Sequence, residues 1–300
     1  MKILLFGANG QVGTELRRSL APLGEVVATT RAGILPDGAP CIAADFGAPE
    51  SLPALIATVA PDVVVNAAAY TAVDRAEDER AQAFRINAEA PGAIARACAA
   101  RGTGLVHYST DYVFDGSASR PYREDDPVAP LGVYGASKNA GEQAIRDSGA
   151  RHLILRTAWV YAAHGHNFLR TMLRLASERD VLRVVADQVG CPTPAGVLAD
   201  ATAQMLRQQH GASATFHLAS RGQTSWHGFA EAIIDGAHAR GLIARKPGVT
   251  AIATVDYPTP AARPAYSVLD TRRIREGFGV QAPDWQEGLA RVLDEVARQD

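Results

Sequence analysis

A short apolar run that ends in a glycine-rich turn constrains the fold of this chain more than any other feature. Residues 2–6 are apolar except for Lys2, and they lead directly into Gly7-Ala-Asn-Gly10-Gln-Val-Gly13. Glycines at this spacing permit a tight turn and close approach to a pyrophosphate, which the following helix N-terminus attracts. The segment therefore predicts a strand, a turn and a helix that bind a dinucleotide. Glycines used only for close packing are the alternative.

Apolar strands and helices alternate along the first half of the chain. The pattern predicts strands at 2–6, 26–29, 62–68, 105–109 and 153–157, and helical segments at 13–22, 51–60, 76–101 and 133–147. Such alternation is typical of a Rossmann-type, doubly wound parallel α/β sheet, in which crossovers are right-handed and ligands bind at the carboxyl ends of the strands. The long polar segment 115–130 is predicted to be a loop over the site.

The alternation becomes less regular after about residue 160. Helices are predicted at 167–177, 197–208, 226–239 and 285–297. We therefore expect a dinucleotide-binding domain over 1–160, which carries the catalytic residues. Residues 161–300 are expected to form mainly a smaller substrate-binding lobe, with some of this chain returning to the sheet.

Composition limits the partners and the compartment. The chain has 300 residues, of which 47% are hydrophobic, so it can bury a large core. A net charge of −2 and a pI near 6.5 argue against nucleic acid and membranes as main partners. Cys41, Cys98 and Cys191 stand singly, which favours reduced thiols in the cytoplasm. His164 and His166 have no further ligands nearby in sequence, so no metal site is predicted.

Tyr134-Gly-Ala-Ser-Lys138 predicts a proton donor. A tyrosine and a lysine four residues apart lie on one face of a helix. The lysine charge is expected to stabilise tyrosinate, so that the phenol becomes a stronger acid than its reference pKa of about 10 implies. Thr110, within Ser109-Thr110-Asp111, ends the preceding strand, where a hydroxyl can polarise a carbonyl oxygen. A turn or helix cap is the alternative for Thr110.

The residues expected near the adenine and the sugar leave several alternatives open. The second strand is followed by Arg31 without an acid, which favours a 2′-phosphate and hence NADPH, although a solvated loop arginine fits equally. Asp45 and Phe46 are predicted to pack around the adenine. Small residues in the segment 66–71 let the backbone approach a cofactor, or simply pack tightly. Trp159 is either core or an aromatic wall for a sugar or base.

Taken together, several segments resemble the extended short-chain dehydrogenase/reductase family. They are GANGQVG, NAAAYTAVDRAE, STDYVFDG, YGASK, RTAWVY, DQVGCPTPAGVLAD, TSWHGFAEAI and ARPAYSVLD. The resemblance covers nearly the whole chain. It implies an oxidoreductase that uses NADPH or NADH to reduce the C4 keto group of dTDP-6-deoxy-L-lyxo-4-hexulose to dTDP-L-rhamnose.

The resemblance also implies roles for individual residues. Tyr134 is the expected proton donor, and Lys138 tunes it and holds the nicotinamide ribose. Thr110 and Asp111 are expected at the substrate, with Thr110 near the carbonyl, and Trp159 in the wall of the sugar site. The matched cofactor positions are Gly10, Gln11, Val12, Asp45, Phe46, Ala69, Tyr70 and Thr71. Arg263 is expected near the nucleotide diphosphate because of its charge.

Two questions remain open after the resemblance. Some family members are dimers bridged by magnesium through acidic side chains, and Glu15 matches one such acid, but Gly196 stands where another is expected. This argues against Mg²⁺ and leaves a homodimer open. The alternative functions are another nucleotide-sugar reductase or epimerase, and a dinucleotide-binding regulatory subunit without turnover. Intact Thr110, Tyr134 and Lys138 argue against the regulatory subunit, since binding alone needs no tuned phenol.

Overall fold

The computed structural model describes residues 1–208 and 213–299. The strands are β1 (Lys2–Phe6), β2 (Glu25–Thr30), β3 (Ile42–Ala43), β4 (Val63–Asn66), β5 (Gly104–Thr110), β6 (His152–Thr157), β7 (Val160–Tyr161), β8 (Val181–Val185), β9 (Val189–Gly190), β10 (Thr193–Pro194), β11 (Ala214–His217), β12 (Thr224–Ser225) and β13 (Gly248–Ile252). The α-helices are α1 (Gln11–Leu20), α2 (Leu52–Val59), α3 (Arg75–Asp78), α4 (Arg80–Phe84), α5 (Ala90–Arg101), α6 (Val133–Asp147), α7 (Phe168–Glu178), α8 (Ala195–Arg207), α9 (Trp226–Ala239), α10 (Arg272–Phe278) and α11 (Trp285–Ala297).

Seven parallel strands form the central sheet, in the order β11-β6-β5-β4-β1-β2-β3. The predicted Rossmann-type sheet is therefore confirmed. At the carboxyl end of β1, Phe6 is paired with Thr29 of β2 on one side and with Asn66 of β4 on the other. The chain order reverses at β1, so the crevice above its end is the place where such sheets bind ligands.

The sheet is buried on both faces, which explains its apolar strands. Residues 3–6 of β1 have no exposed surface. On one face the strands pack against α1 and α8 through Leu16, Leu20 and Leu198. On the other face α2, α5 and α6 cover them, with Ile94 and other aliphatic side chains in the second cluster.

The second half of the chain builds a separate cluster and also contributes to the sheet. Helices α7 and α9 pack against β8, and α11 packs against α9, with Leu169, Phe229, Ile233 and Leu293 buried among them. Strand β8 pairs in parallel with β13 outside the main sheet, and β11 joins the main sheet beside β6. The sequence did not predict β8, β11 or β13. Within the described ranges, no helix has both the length and the apolarity needed to cross a membrane.

The segment predicted to be helical over 76–101 is divided in the structure into shorter helices and a π-helical turn. Helix α3 ends at Asp78, and a π-helical turn over Arg85–Glu89 separates α4 from α5. Pro91, in the first turn of α5, has no N–H and would crowd the carbonyl of Asn87 in a regular helix. The wider turn relieves that crowding, and α6 brings Gly141 directly against the same Asn87 carbonyl oxygen.

We predict that Gly141→Ala destabilises the protein, because its new Cβ would collide with the Asn87 carbonyl oxygen. Overpacking against backbone costs about 1–3 kcal/mol. Chemical denaturation monitored by circular dichroism measures the loss, and Gln143→Ala, exposed on the same helix, is the control and should unfold like wild type. Unchanged stability of Gly141→Ala would contradict the close packing of α6 on the π-helical turn.

Candidate active site

The glycine turn after β1 forms a backbone cradle at the crevice. Gly7 has φ +78, and a Cβ there would lie 2.7 Å from Ala68 N. A Cβ at Gly13 would collide with the Gly7 carbonyl oxygen, which also accepts a 3.0 Å hydrogen bond from Gly10 N–H. Gly10 is the N-cap residue of α1 and has no side chain that could accept from the first helical N–H groups. These N–H groups are therefore available to an anion. The turn therefore fits the pyrophosphate of a dinucleotide, held by backbone alone.

The other predicted cofactor residues lie at the start of α1 and in the loop after β4. Val12 is half-buried and packs against the core under α1, and Gln11 Oε1 accepts a 2.9 Å hydrogen bond from Asn167 Nδ2. Gln11 thus connects the turn with the second half of the chain. Ala69 is half-buried and Thr71 is exposed in the loop after β4.

Arg31, Asp45 and Phe46 lie together beyond the ends of β2 and β3. Arg31 Nε is 3.8 Å from Asp45 Oδ1, and 79% of the Arg31 side chain is exposed. Phe46 is buried with its ring edge-on to Phe6, at a centroid distance of 5.4 Å. The two charged side chains are therefore neighbours at one margin of the crevice. Both explanations of Arg31, a 2′-phosphate contact and a solvated loop residue, fit this position.

Tyr70 supports the fold of the loop with both its backbone and its side chain. Asn87 Oδ1 accepts from Tyr70 N–H at 2.8 Å, and Asn87 Nδ2 donates to the Tyr70 carbonyl at 3.0 Å. The Tyr70 hydroxyl donates to Glu79 Oε2 at 2.7 Å. The sequence analysis missed Asn87, although Pro91 four residues later was a signal that its carbonyl lies in irregular backbone.

Tyr134 and Lys138 are on one face of α6, as predicted. Glu77 Oε1 accepts from Val133 N–H at 2.9 Å and fixes the start of this helix. Ser137 Oγ donates to the Tyr134 carbonyl at 2.8 Å. Thr110 lies close enough to the Tyr134 phenol to lower its pKa, so the strand-end and helix residues expected to act on one carbonyl oxygen are neighbours.

The expected lowering of the Tyr134 pKa is wrong for the structure without ligands. Burial raises the pKa of Tyr134 to about 12, an effect that the neighbouring Thr110 side chain opposes and the charge of Asp111 reinforces. Lys138 Nζ donates to the Tyr108 carbonyl at 2.6 Å, and burial lowers its own pKa to about 8. The lysine is thus bonded to a backbone carbonyl and loses its proton at a lower pH than an exposed lysine would. Tyr134 is fully protonated at neutral pH, the form that a proton donor needs.

Asp111 presents an unsatisfied oxygen at the same place. The side chain is buried, and its Oδ1 accepts a 3.0 Å hydrogen bond from Thr110 Oγ1. Its Oδ2 is buried and has no hydrogen-bond partner among the described residues. Burial raises the pKa of Asp111 to about 6. A buried oxygen of this kind needs a partner, and a ligand hydroxyl would supply one.

A buried ion pair lies behind the catalytic residues. Arg156 Nε and Nη2 donate to the two oxygens of Glu142 at 2.8 and 2.7 Å, and Ser109 Oγ donates to Glu142 Oε1 at 2.6 Å. These bonds connect β5, β6 and α6. The sequence analysis missed this pair, although an arginine inside an otherwise apolar buried strand was a signal for it.

Trp159 follows β6 in a left-handed conformation, with φ +47. Its ring stacks on Trp226, the first residue of α9, at a centroid distance of 3.5 Å and an interplanar angle of 5°. The sequence analysis did not connect these two residues. One face of Trp159 is therefore covered, while the residue stays half-buried where the second half of the chain meets the sheet.

A cavity of about 390 Å³ adjoins the Trp159–Trp226 stack. Trp226, Tyr257, Arg179, Arg183 and Arg263 are among its lining residues. Arg263 donates from Nη1 and Nη2 to the carboxylate of Asp74 at 3.0 and 2.8 Å. Three arginines and two aromatic rings suit a nucleoside diphosphate, because guanidinium groups bind phosphate oxygens.

Glu15 is engaged by basic side chains. Its Oε1 is 3.0 Å from His164 Nε2, and its Oε2 is 3.4 Å from Arg18 Nη2. A Cβ at Gly196 would lie 3.6 Å from Glu15 Oε2, so position 196 faces this carboxylate but supplies no acid. No group of three or more metal-ligating side chains was found in the part of the chain that the structure describes.

Comparison with known proteins places the whole chain in one group. The family model described as RmlD substrate binding domain matches residues 1–298. A dTDP-4-dehydrorhamnose reductase of Burkholderia thailandensis is 49% identical, with 100% of both chains covered. Crystal structures of dTDP-4-dehydrorhamnose reductases from Clostridium acetobutylicum and, with NADP, from Bacillus anthracis superpose with TM-scores of 0.89 and 0.88. They are 36% and 34% identical, and the alignments cover 99% and 98% of this chain and 99% of each of theirs.

We predict that Gly13→Ala both destabilises the protein and weakens NADPH binding, because its Cβ would push the Gly7 carbonyl out of the turn. The expected loss of affinity is at least on the order of tenfold, or about 1.4 kcal/mol. Gly10→Ala is the matched control for folding, since its Cβ would meet the same oxygen at 3.4 Å. Thermal denaturation and nicotinamide fluorescence measure the two effects. Wild-type behaviour of Gly13→Ala would exclude the cradle.

Proposed function

The chain belongs to the RmlD substrate binding domain family, and on this basis we propose that it reduces the C4 keto group of dTDP-4-dehydro-L-rhamnose to give dTDP-L-rhamnose. It is an oxidoreductase of the dTDP-rhamnose pathway. The observation that carries the proposed site is Tyr134 and Lys138 on one face of α6 with Thr110 beside the Tyr134 phenol, in a sheet whose first strand ends in a turn shaped for a dinucleotide.

The glycine turn is proposed to hold the pyrophosphate of NADPH or NADH, and Lys138 the nicotinamide ribose. The bound cofactor supplies the hydride. Structures of relatives with NADP or of more distant proteins with NAD support a dinucleotide in this fold. Arg31 is proposed to contact the 2′-phosphate, with its exposed guanidinium free to turn from Asp45 toward that group.

Thr110 and Tyr134 are proposed to bind the C4 carbonyl oxygen of the sugar. When hydride adds to the C4 carbon, the carbonyl π electrons move to oxygen, and the Tyr134 phenol transfers its proton there. The alcohol and a tyrosinate result. The Thr110 hydroxyl turns its proton from Asp111 Oδ1 to the substrate oxygen and stabilises the developing negative charge, and Asp111 Oδ2 accepts a hydrogen bond from a sugar hydroxyl.

The rest of the substrate is proposed to follow the surface of the second half of the chain. Trp159 contacts the sugar ring, and the arginine-lined cavity that includes Arg263 receives the dTDP group. In this proposal residues 1–160 bind the cofactor and carry the catalytic residues. Residues 161–300 mainly shape the substrate site. The proposal also includes a cytoplasmic location and a homodimer.

We predict that Tyr134→Phe keeps cofactor affinity and loses about 10²–10⁴-fold in rate, because the positioned proton donor is gone. The measurement is the decrease of NADPH absorbance with dTDP-6-deoxy-L-lyxo-4-hexulose, generated by coupled upstream enzymes. Tyr161→Phe, which removes a buried hydroxyl that has no partner among the described residues, is the matched control and should turn over like wild type.

Three outcomes of this assay decide between functions. Full activity of Tyr134→Phe would remove Tyr134 as the proton donor. A wild-type protein that binds NADPH without oxidising it would be a reductase of another nucleotide sugar or a regulatory subunit. Conversion of the sugar without net NADPH consumption would indicate an epimerase, since an epimerase returns its hydride.

We predict that Arg31→Ala weakens NADPH binding more than NADH binding. The reason is that only NADPH carries the 2′-phosphate that a guanidinium would contact. Titrations of both cofactors followed by fluorescence measure the ratio of the two dissociation constants. Arg101→Ala, an exposed residue at the end of α5 just before the amino end of β5, is the control, since it lies away from the carboxyl ends of the strands. An equal effect on both cofactors would assign Arg31 to the solvated surface.

A further inference from the structure

Asn66, His107 and Lys138 form a row of buried polar side chains that leads from the sheet to the catalytic helix α6. Asn66 ends β4, His107 is its register partner on β5, and both are almost completely buried. Asn66 Nδ2 is 3.0 Å from His107 Nδ1, and His107 Nε2 is 3.4 Å from Lys138 Nζ. The proposed reaction uses only the last member of this row.

The Asn66 amide has one orientation that satisfies its neighbours. Its Oδ1 accepts a 3.0 Å hydrogen bond from Ala68 N–H. Turning the amide over would place its NH₂ group against that N–H and lose the bond. The Nδ2 donor therefore faces His107, and His107 Nδ1 must accept.

His107 is a neutral ring. Burial alone holds its pKa below the usual value for histidine, and the charge of Lys138 lowers it further whenever that lysine is protonated. A neutral imidazole carries one proton, and its Nδ1 is already an acceptor. The proton is consequently on Nε2, and the N–H that carries it is turned toward Lys138.

That N–H discriminates between the two forms of Lys138. An ammonium group has only donors, so it meets the Nε2–H as a second donor, whereas an amine offers a lone pair. The Tyr108 carbonyl can accept from either form. Glu142 favours the charged form of Lys138, but its oxygens are already bonded to three other side chains, Arg156, Arg146 and Ser109. Tyr134, one turn earlier on α6, is uncharged at neutral pH and offers Lys138 no counter-charge.

We propose that Asn66 and His107 are positioning residues that present an N–H group to Lys138 and thereby favour its uncharged amine. The catalytic consequence of this proposal rests on the proposed function, in which Lys138 assists Tyr134. The tautomer of His107 and its effect on Lys138 do not depend on the proposed function. Because the charged lysine is the form that stabilises tyrosinate, the pair sets an upper pH limit to the proposed activity.

Nitrogen-15 NMR of the full-length protein, labelled at histidine, tests the tautomer without any substrate. We expect His107 to remain the neutral Nε2–H form from about pH 6 to about pH 10. Its Nε2–H resonance should shift as Lys138 titrates, and Lys138→Met should abolish that shift. An Nδ1–H tautomer, an imidazolium, or an unchanged shift in Lys138→Met would each overturn the proposal.

The pH dependence of NADPH oxidation tests the catalytic consequence. A glutamine at 107 can turn its carbonyl oxygen to the ammonium, so His107→Gln should move the alkaline midpoint of kcat upward by roughly one pH unit. Asn66→Ala, which frees Nδ1 to carry the proton, should shift it in the same direction. His152→Gln, a buried histidine at the start of β6, is the control and should leave it unchanged.

These two experiments separate failures of the two proposals. An active enzyme whose alkaline midpoint is the same in wild type, His107→Gln and Asn66→Ala would overturn the role of the pair. A wild type without NADPH oxidation contradicts the proposed reductase alone, because the NMR result decides the tautomer independently. Thermal denaturation of each variant shows that it is folded before its midpoint is compared.

Discussion

The active-site geometry depends on the buried ion pair between Glu142 and Arg156. A charge removed from water is costly unless it is paired and hydrogen-bonded. Glu142 meets this requirement by accepting from Arg156 on β6, Ser109 on β5 and Arg146 on its own helix. The same bonds fix the rotation and height of α6 relative to two adjacent strands. Tyr134 and Thr110, one on the helix and one beside Ser109, are brought together as a result.

The elements and motifs that are local in sequence could be predicted. Strand β1, the glycine turn and the pair Tyr134 and Lys138 follow from periodicity and spacing over a few residues, and all are where the sequence placed them. Helices α6, α9 and α11 match their predicted limits because each presents an apolar face with a clear end. The short strands β3 and β11 were not found, since pairing with a neighbour defines them more than their own composition.

The electrostatics of the site could not be predicted from spacing. A lysine four residues after a tyrosine implied a more acidic phenol, whereas burial raises the pKa of Tyr134 and Lys138 bonds to the Tyr108 carbonyl. Thr110 and Asp111, which act on the pKa of Tyr134, come from the end of β5 and the turn that follows it. Their identity depends on strand order and register, which a single sequence does not specify. The sequence identified the groups, and the fold determines their protonation.

The stack of Trp159 on Trp226 has an optical consequence. The chain contains three tryptophans, and two of them lie face to face with their centroids 3.5 Å apart. Indole transitions this close couple to one another, so the two rings should contribute to the near-ultraviolet circular dichroism as a coupled pair. One ring follows the central sheet and the other begins a helix of the second half of the chain. The circular dichroism of the tryptophan pair therefore reports, without any added label, whether those two parts of the chain stay together.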